Sequence, residues 1–308
     1  MELPRHYAKT TKLPRSGGEA GHAVVADDPF PLMARSQLPD RVTGKSSKST
    51  RRAFTLVDLL AILALGVFLV LVAVPALAHS QRASDNAICA NNLRQLMQAW
   101  QMYSDDNAGA LMANPPAGTS GYLGWVKGVL DFNANTPDNF NAAYLTNSAN
   151  AAMGFYVRSA SLFRCPADHT FLLRSSVPTY RVRSYSMNAY LGPGASGWSA
   201  GYQIMVNQNQ VSQPERTFVL LEEHPGSIND GSLIVDVAGT GSANVLVDVP
   251  AAFHAGAATI AFGDGHTELW QWTDARTMPP IGGVSVGNIA CPNNADVTRL
   301  QKVTTYHP

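Results

Sequence analysis

From Phe54 to Ala78 the chain is apolar at almost every position, and Asp58 is its one charged residue. A helix over such a run rises about 37 Å at ~1.5 Å per residue, enough to cross a hydrocarbon core of roughly 30 Å. The pattern predicts a transmembrane helix over 54–78. Beyond it the periodicity changes without a stop signal. Ile88, Leu93, Leu96, Met97, Trp100 and Tyr103 recur at helical spacing among Asn91, Asn92, Arg94, Gln95, Gln98 and Gln101. That alternation predicts an amphipathic stalk over 79–106, one face of which packs on a globular part. "DDNAG" at 105–109 ends the helix, with Gly109 as its C-cap. Asp105 and Asn107 lack the acid and glycine spacing of a calcium loop.

The remainder, 107–308, has the pattern of a separate head. Residues 114–160 show little periodicity, and "YLGWVKGVLDF" at 122–132 is the one stretch there that predicts a short strand or hairpin. Strand candidates then come in series at 217–221, 233–237, 245–249, 258–262 and 268–272. The last two flank Asp264-Gly265, a pair that favours the type I′ turn of a tight hairpin. A long helix followed by a run of strands predicts an α+β fold with an antiparallel sheet in the head.

Charge sharpens the division. The 308 residues are neutral overall, but residues 1–53 hold ten Lys or Arg against five Asp or Glu, and the acidic excess lies in the rest. No basic cluster marks the main body, which argues against nucleic acid as a partner. Lys45, Lys48, Arg51 and Arg52 precede the apolar run and only Arg82 closely follows it. The positive-inside bias then predicts a cytoplasmic 1–53 and an extracytoplasmic head. Five prolines and "SGGEAG" give 1–53 the composition of a disordered leader.

An intramembrane acid is costly, so Asp58 calls for an explanation: it reaches back to the interface, or it meets a cation in the membrane. The residues around it, "RRAFTLVDLL", resemble the processing site of type IV prepilins and type II secretion pseudopilins. The resemblance implies that a prepilin peptidase cuts between Ala53 and Phe54 and methylates the new amine. Asp58 stands where that family has a glutamate that pairs with the terminal amine of a neighbouring subunit during assembly. Pro75 falls at the twenty-second position from Phe54, where pilins often carry a helix-kinking proline. Ala53 and Asp58 replace the family's usual Gly and Glu. The same resemblance implies a pilin-like architecture, a bacterial inner-membrane location and other pilin-like subunits as partners, in a secretion pseudopilus or surface filament. A rival pattern, Ala76-Leu77-Ala78 before His79, is the small-x-small site of ordinary signal peptidase, although the apolar run exceeds the ~7–15 residues of a signal core.

A second resemblance covers the head. His254, nine intervening residues, then Asp264 and Gly265 are similar to the C-terminal signature of a group of prepilin-like proteins. "CANNLRQLMQAWQMYSDDN", "LFRCPAD" and "SYSMN" resemble that group in the same order. His254, Asp264, His266 and Glu222, with Glu223 and His224 beside it, are residue types that bind a divalent cation. Alternatively, Asp264 and Gly265 serve the turn and His254 fixes the hairpin entry through a backbone hydrogen bond. No nucleophile elbow, phosphate loop or dinucleotide fingerprint is present, so no enzyme is predicted.

Cys89, Cys165 and Cys291 make an odd count in a region where disulfides form. Cys89 with Cys165 is the preferred disulfide, because it would staple the first head loop to the stalk, and Cys165 with Cys291 is the alternative. Two functions follow from these readings. One is a pilin-like structural subunit processed by prepilin peptidase. The other is a membrane-tethered or secreted head that binds a glycan or a metal and does not polymerise.

Overall fold

The computed structural model describes residues 54–308. Ala53 and the predicted 1–53 leader lie outside the described residues. Helix α1 runs unbroken from Leu56 to Asp106, 51 residues, and continues through Pro75. Its end is a Schellman-type cap: the Gly109 N–H donates to the Ser104 carbonyl at 2.8 Å. The left-handed residue that opens the cap is Ala108 (φ 53°), one position before the expected Gly109, which follows it at φ 83°.

The two halves of α1 are environments of different kinds. Every described side chain from Phe54 to Ala78 is exposed, and residues such as Leu63 and Phe68 keep more than half of their surface. From Asp85 a stripe of Cys89, Asn92, Leu93, Leu96, Met97, Trp100 and Ser104 is buried. The expected stripe was therefore one residue out of phase at its start. Ile88 is 46% exposed and Cys89 is 0% exposed, because positions 89, 93, 96, 97, 100 and 104 share one helical face.

That face packs on a mixed sheet. The strands are β1 (Phe171–Arg174), β2 (Val177–Tyr180), β3 (Tyr185–Asn188), β4 (Phe218–Glu222), β5 (Ser232–Leu233), β6 (Val245–Leu246), β7 (Ala257–Phe262), β8 (Thr267–Gln271) and β9 (Ile289–Ala290). Two shorter helices are α2 (Ala143–Thr146) and α3 (Ala295–Gln301), the latter capped by Asn294 Oδ1 on the Asp296 and Val297 N–H groups. The main sheet has the order β5-β3-β4-β7-β8, antiparallel except for the parallel β3–β5 pair. Strands β3, β4 and β7 are buried at every position, as befits the middle of a sheet covered on both faces. α1 lies across β4, β7 and β8, so the core of the head forms between helix and sheet.

All five strand candidates of the second half appear, several of them trimmed. The expected 233–237 strand keeps only Leu233, paired in β5 with Ser232 before it, and the expected 245–249 strand keeps two residues as β6, which pairs with β9 outside the main sheet. "YLGWVKGVLDF" forms no strand; it holds an isolated bridge between Gly124 and Ala113. Gly128 at φ 99° turns the chain there. The Trp125 indole N–H donates instead to the Gly231 carbonyl at 2.9 Å.

Candidate metal centre

Four elements deliver one polar group each to a site at the N-terminal end of the buried stripe. Cys89 comes from α1, Cys165 from the loop before β1, Glu222 from the last position of β4, and His254 from just before β7. All four are buried, and one ligand atom from each lies within 4.8 Å of the others. The Cys89 thiol donates to Glu222 Oε1 at 2.6 Å, and His254 Nε2 lies 2.9 Å from that same oxygen. Cys165 Sγ is 3.4 Å from His254 Nε2.

Outer groups hold these four in place. The Thr259 N–H donates to Glu222 Oε2 at 2.6 Å, and the Tyr185 hydroxyl lies 3.1 Å from Cys89 Sγ. The His254 backbone N–H donates to the Ala257 carbonyl across Ala255 (φ 55°) and Gly256 (φ 87°). These two successive left-handed residues bend the chain between His254 and the start of β7. A cavity of ≈ 360 Å³ lined by Arg82, Ala83, Asn86, His254 and Ala255 opens beside the site.

Electrostatics follow from burial. Desolvation works against a charge on His254, but hydrogen bonds with Cys89 and Glu222, together with the Glu222 charge, raise it to about 10. Burial pushes the Cys165 thiol up, and hydrogen bonding with Cys89 and the Glu222 charge push it the same way. The Tyr185 hydroxyl is likewise held well above its usual range, first by burial. The Cys165 thiol is thus held neutral beside the His254–Glu222 pair, whose Nε2 and Oε1 atoms lie 2.9 Å apart.

The arrangement brings the two cysteines of the expected disulfide together without bonding them. Cys89 and Cys165 do converge, but all three cysteines are free thiols. Each of the two already has a polar partner, Glu222 for Cys89 and His254 for Cys165. Cys291 is buried elsewhere, in a small core with Leu246, Val249 and Val297.

The expected cation set is also divided. His254 and Glu222 meet, whereas Asp264 and His266 sit at the far end of β7. Helix α1 measures the separation: Cys89 touches the His254 end, and the Gln101 side chain donates to the Gly263 carbonyl at the turn end. Twelve helical residues rise about 18 Å, so one ion cannot reach both ends. At the turn end Asp264 Oδ1 accepts the His266 N–H at 3.1 Å and lies 2.6 Å from His266 Nδ1, both side chains being partly exposed. Burial alone would raise the Asp264 carboxyl, but its hydrogen bonds with His266 hold it below the usual carboxylate range. The turn is a three-residue loop, not the expected type I′ turn. The Gly265 N–H donates to the Phe262 carbonyl at 2.8 Å, the Phe262 N–H to the His266 carbonyl at 3.0 Å, and only Gly265 (φ 92°) is left-handed.

Glu223 and His224 face other partners. Glu223 accepts the Ser227 hydroxyl at 2.8 Å, and His224 Nδ1 accepts the Gly226 N–H at 3.0 Å. Sequence reasoning missed both cysteines as candidate ligands and Tyr185 as a neighbour of Cys89. The signal was available: "CANN", "LFRCPAD", "SYSMN" and His254 each belong to a segment of the second resemblance, and the fold gathers one residue from each. The cysteines do not lie in a short pair such as C-x-x-C, whose spacing announces a metal by itself. Among the described residues, α1 is one helix long and apolar enough to cross a membrane. No family model, curated protein or solved structure matches the chain.

Proposed function

We propose that this chain is a membrane-anchored, pilin-like structural subunit whose head is presented outside the bacterial inner membrane. The observation that carries the proposal is the division of one continuous helix. Its first half offers only exposed side chains over a length that matches a bilayer, while its second half supplies the buried wall of a head. A soluble protein gains nothing from 25 consecutive uncovered, almost wholly apolar positions, since that surface is costly in water. A lipid or a bundle of like helices covers them. The "RRAFTLVDLL" resemblance adds the processing step at Ala53–Phe54 and gives Asp58 its role in assembly.

The second reading, a tethered head that does not polymerise, draws on the buried Cys89, Cys165, Glu222 and His254 group, which gives the head a chemistry of its own. Crosslinking between subunits in membranes separates the two readings. Under the assembly reading, Asp58→Asn inserts normally but loses intersubunit crosslinks, and Asp58→Glu matches or exceeds the wild type because a longer side chain restores reach. Equal crosslinking in all three chains contradicts assembly and leaves the tethered head.

A further inference from the structure

We infer that Cys89, Cys165, Glu222 and His254 form a structural site for a thiolate-preferring divalent ion, zinc above all, that clamps the stalk helix to the head. Four observations converge on it.

The first is the donor set. Two sulfurs, one imidazole nitrogen and one carboxylate oxygen match the ligands that zinc takes in four-coordinate sites. Sulfur donors select zinc over calcium or magnesium, which prefer oxygen alone.

The second is size. Zinc bonds of ~2.0–2.3 Å imply tetrahedron edges of about 3.3–3.8 Å. The four donor atoms already fit within 4.8 Å of one another, and three of their pairs lie at 2.6, 2.9 and 3.4 Å. Opening the hydrogen-bonded pairs by less than about 1.5 Å suffices to admit the ion.

The third is support around the donors. Glu222 keeps its second oxygen on the Thr259 N–H, and Cys89 keeps the Tyr185 hydroxyl, so two ligands are oriented by outer contacts of the kind that metal sites use. The fourth is access. The cavity beside His254 gives an entry path, and Asn86 on its wall has a buried Oδ1 with no hydrogen-bond partner among the described residues.

The geometry argues against nucleophilic catalysis by the same residues. A Cys–His–carboxylate triad uses the two ring nitrogens for different partners, whereas Cys165 and Glu222 both meet His254 at Nε2. Convergence of several groups on one point suits an ion. Loading displaces the two thiol protons and any proton on His254 Nε2, and the product carries two thiolates, one carboxylate and a neutral imidazole around the dication. Four protein ligands leave no open position, the mark of a structural site. Its place explains its use. Cys89 is the first deeply buried apolar position of α1, so the ion fastens the helix where it leaves the head.

The test uses the full chain purified in detergent without chelators. Metal analysis should find close to one zinc per chain, and unfolding in a thiol reagent after chelation should reveal three free thiols. Metal-stripped, reduced wild type titrated with cobalt(II) should develop the thiolate-to-cobalt absorption and intense visible bands of a tetrahedral sulfur site, saturating at one equivalent. Cys89→Ser and Cys165→Ser should each abolish these bands, and Glu222→Gln should weaken binding at least tenfold. Asp264→Ala and His266→Ala should leave them unchanged. The wild-type titration stands even where a variant fails to fold. Absence of a saturable cobalt spectrum in reduced wild type overturns the site. So does a metal-free chain as isolated with a single free thiol, which would show a Cys89–Cys165 disulfide in its place. Loss of the bands in Asp264→Ala with retention in Cys89→Ser would move the ion to the turn end.

Discussion

The two halves of α1 are built from one backbone and share much the same stock of apolar side chains, yet they obey different rules. Leu63 is more than half exposed in the structure, while Leu96, thirty-three residues on in the same helix, is fully buried. Around Leu63 the apolar residues run all the way round the helix; around Leu96 they keep to one face, and the other face is Arg94, Gln95 and Gln98. A helix apolar on every side has no one face to turn toward a sheet, whereas a striped helix has one. The difference teaches that one continuous helix draws packing from the sheet along its striped half alone.

Removing the bare half should have the largest effect. A chain beginning at Ser84 is expected to be folded and monodisperse in water, whereas the full chain requires detergent, because the stripe from Cys89 to Ser104 keeps its sheet. Aggregation of the shorter chain beside a well-behaved full chain in detergent would break the division. Next in size is a pair of substitutions. Trp100→Ala should cost the head about 3–5 kcal/mol in thermal or denaturant unfolding, and Leu63→Ala less than about 0.5 kcal/mol. Similar losses in both would mean that the first half packs on protein.

A smaller effect sharpens the contrast through pH. Asp248, in the head, is pushed up to about 7, first by burial and further by the Asp230 charge, against the Ile234 N–H that it accepts at 2.7 Å. For this acid the folded state holds the proton more tightly than the unfolded chain, the reverse of a salt-bridged carboxylate. Its contribution to stability is therefore full below about pH 4, falls as pH rises to about 7, and is flat above. Melting temperatures across that window should decline for the wild type and decline less for Asp248→Asn. An unchanged slope in the variant would place the dependence elsewhere.

Much of this architecture could be read from the chain because it rests on local pattern. The apolar run, the striped continuation and the strands around Phe218–Glu222 and Ala257–Phe262 each declare themselves within a few residues. Strand β3 did not. "YSMN" has Ser186 and Asn188 where a strand signal wants apolar residues, and it is buried at all four positions because Asn188 is satisfied by the Phe218 and Thr304 carbonyls. The one-residue error at Ile88 has a related cause, since Cys89 counts weakly in a hydrophobic pattern yet holds the buried position. The candidate site was legible only in part. His254 and Glu222 could be named, but their true companions come from segments 133 and 57 residues before Glu222, and only the fold brings them near. Asp264 was grouped with His254 by its place in one motif, while β7 holds the two apart.

The mature N-terminus tests the central claim most directly. Coexpression of the full chain with a prepilin peptidase, followed by mass spectrometry of the membrane fraction, should give a chain that begins at N-methylated Phe54 and keeps all of α1. An intact residue 1–53 segment in the presence of active peptidase, or a soluble product beginning at His79, would contradict it.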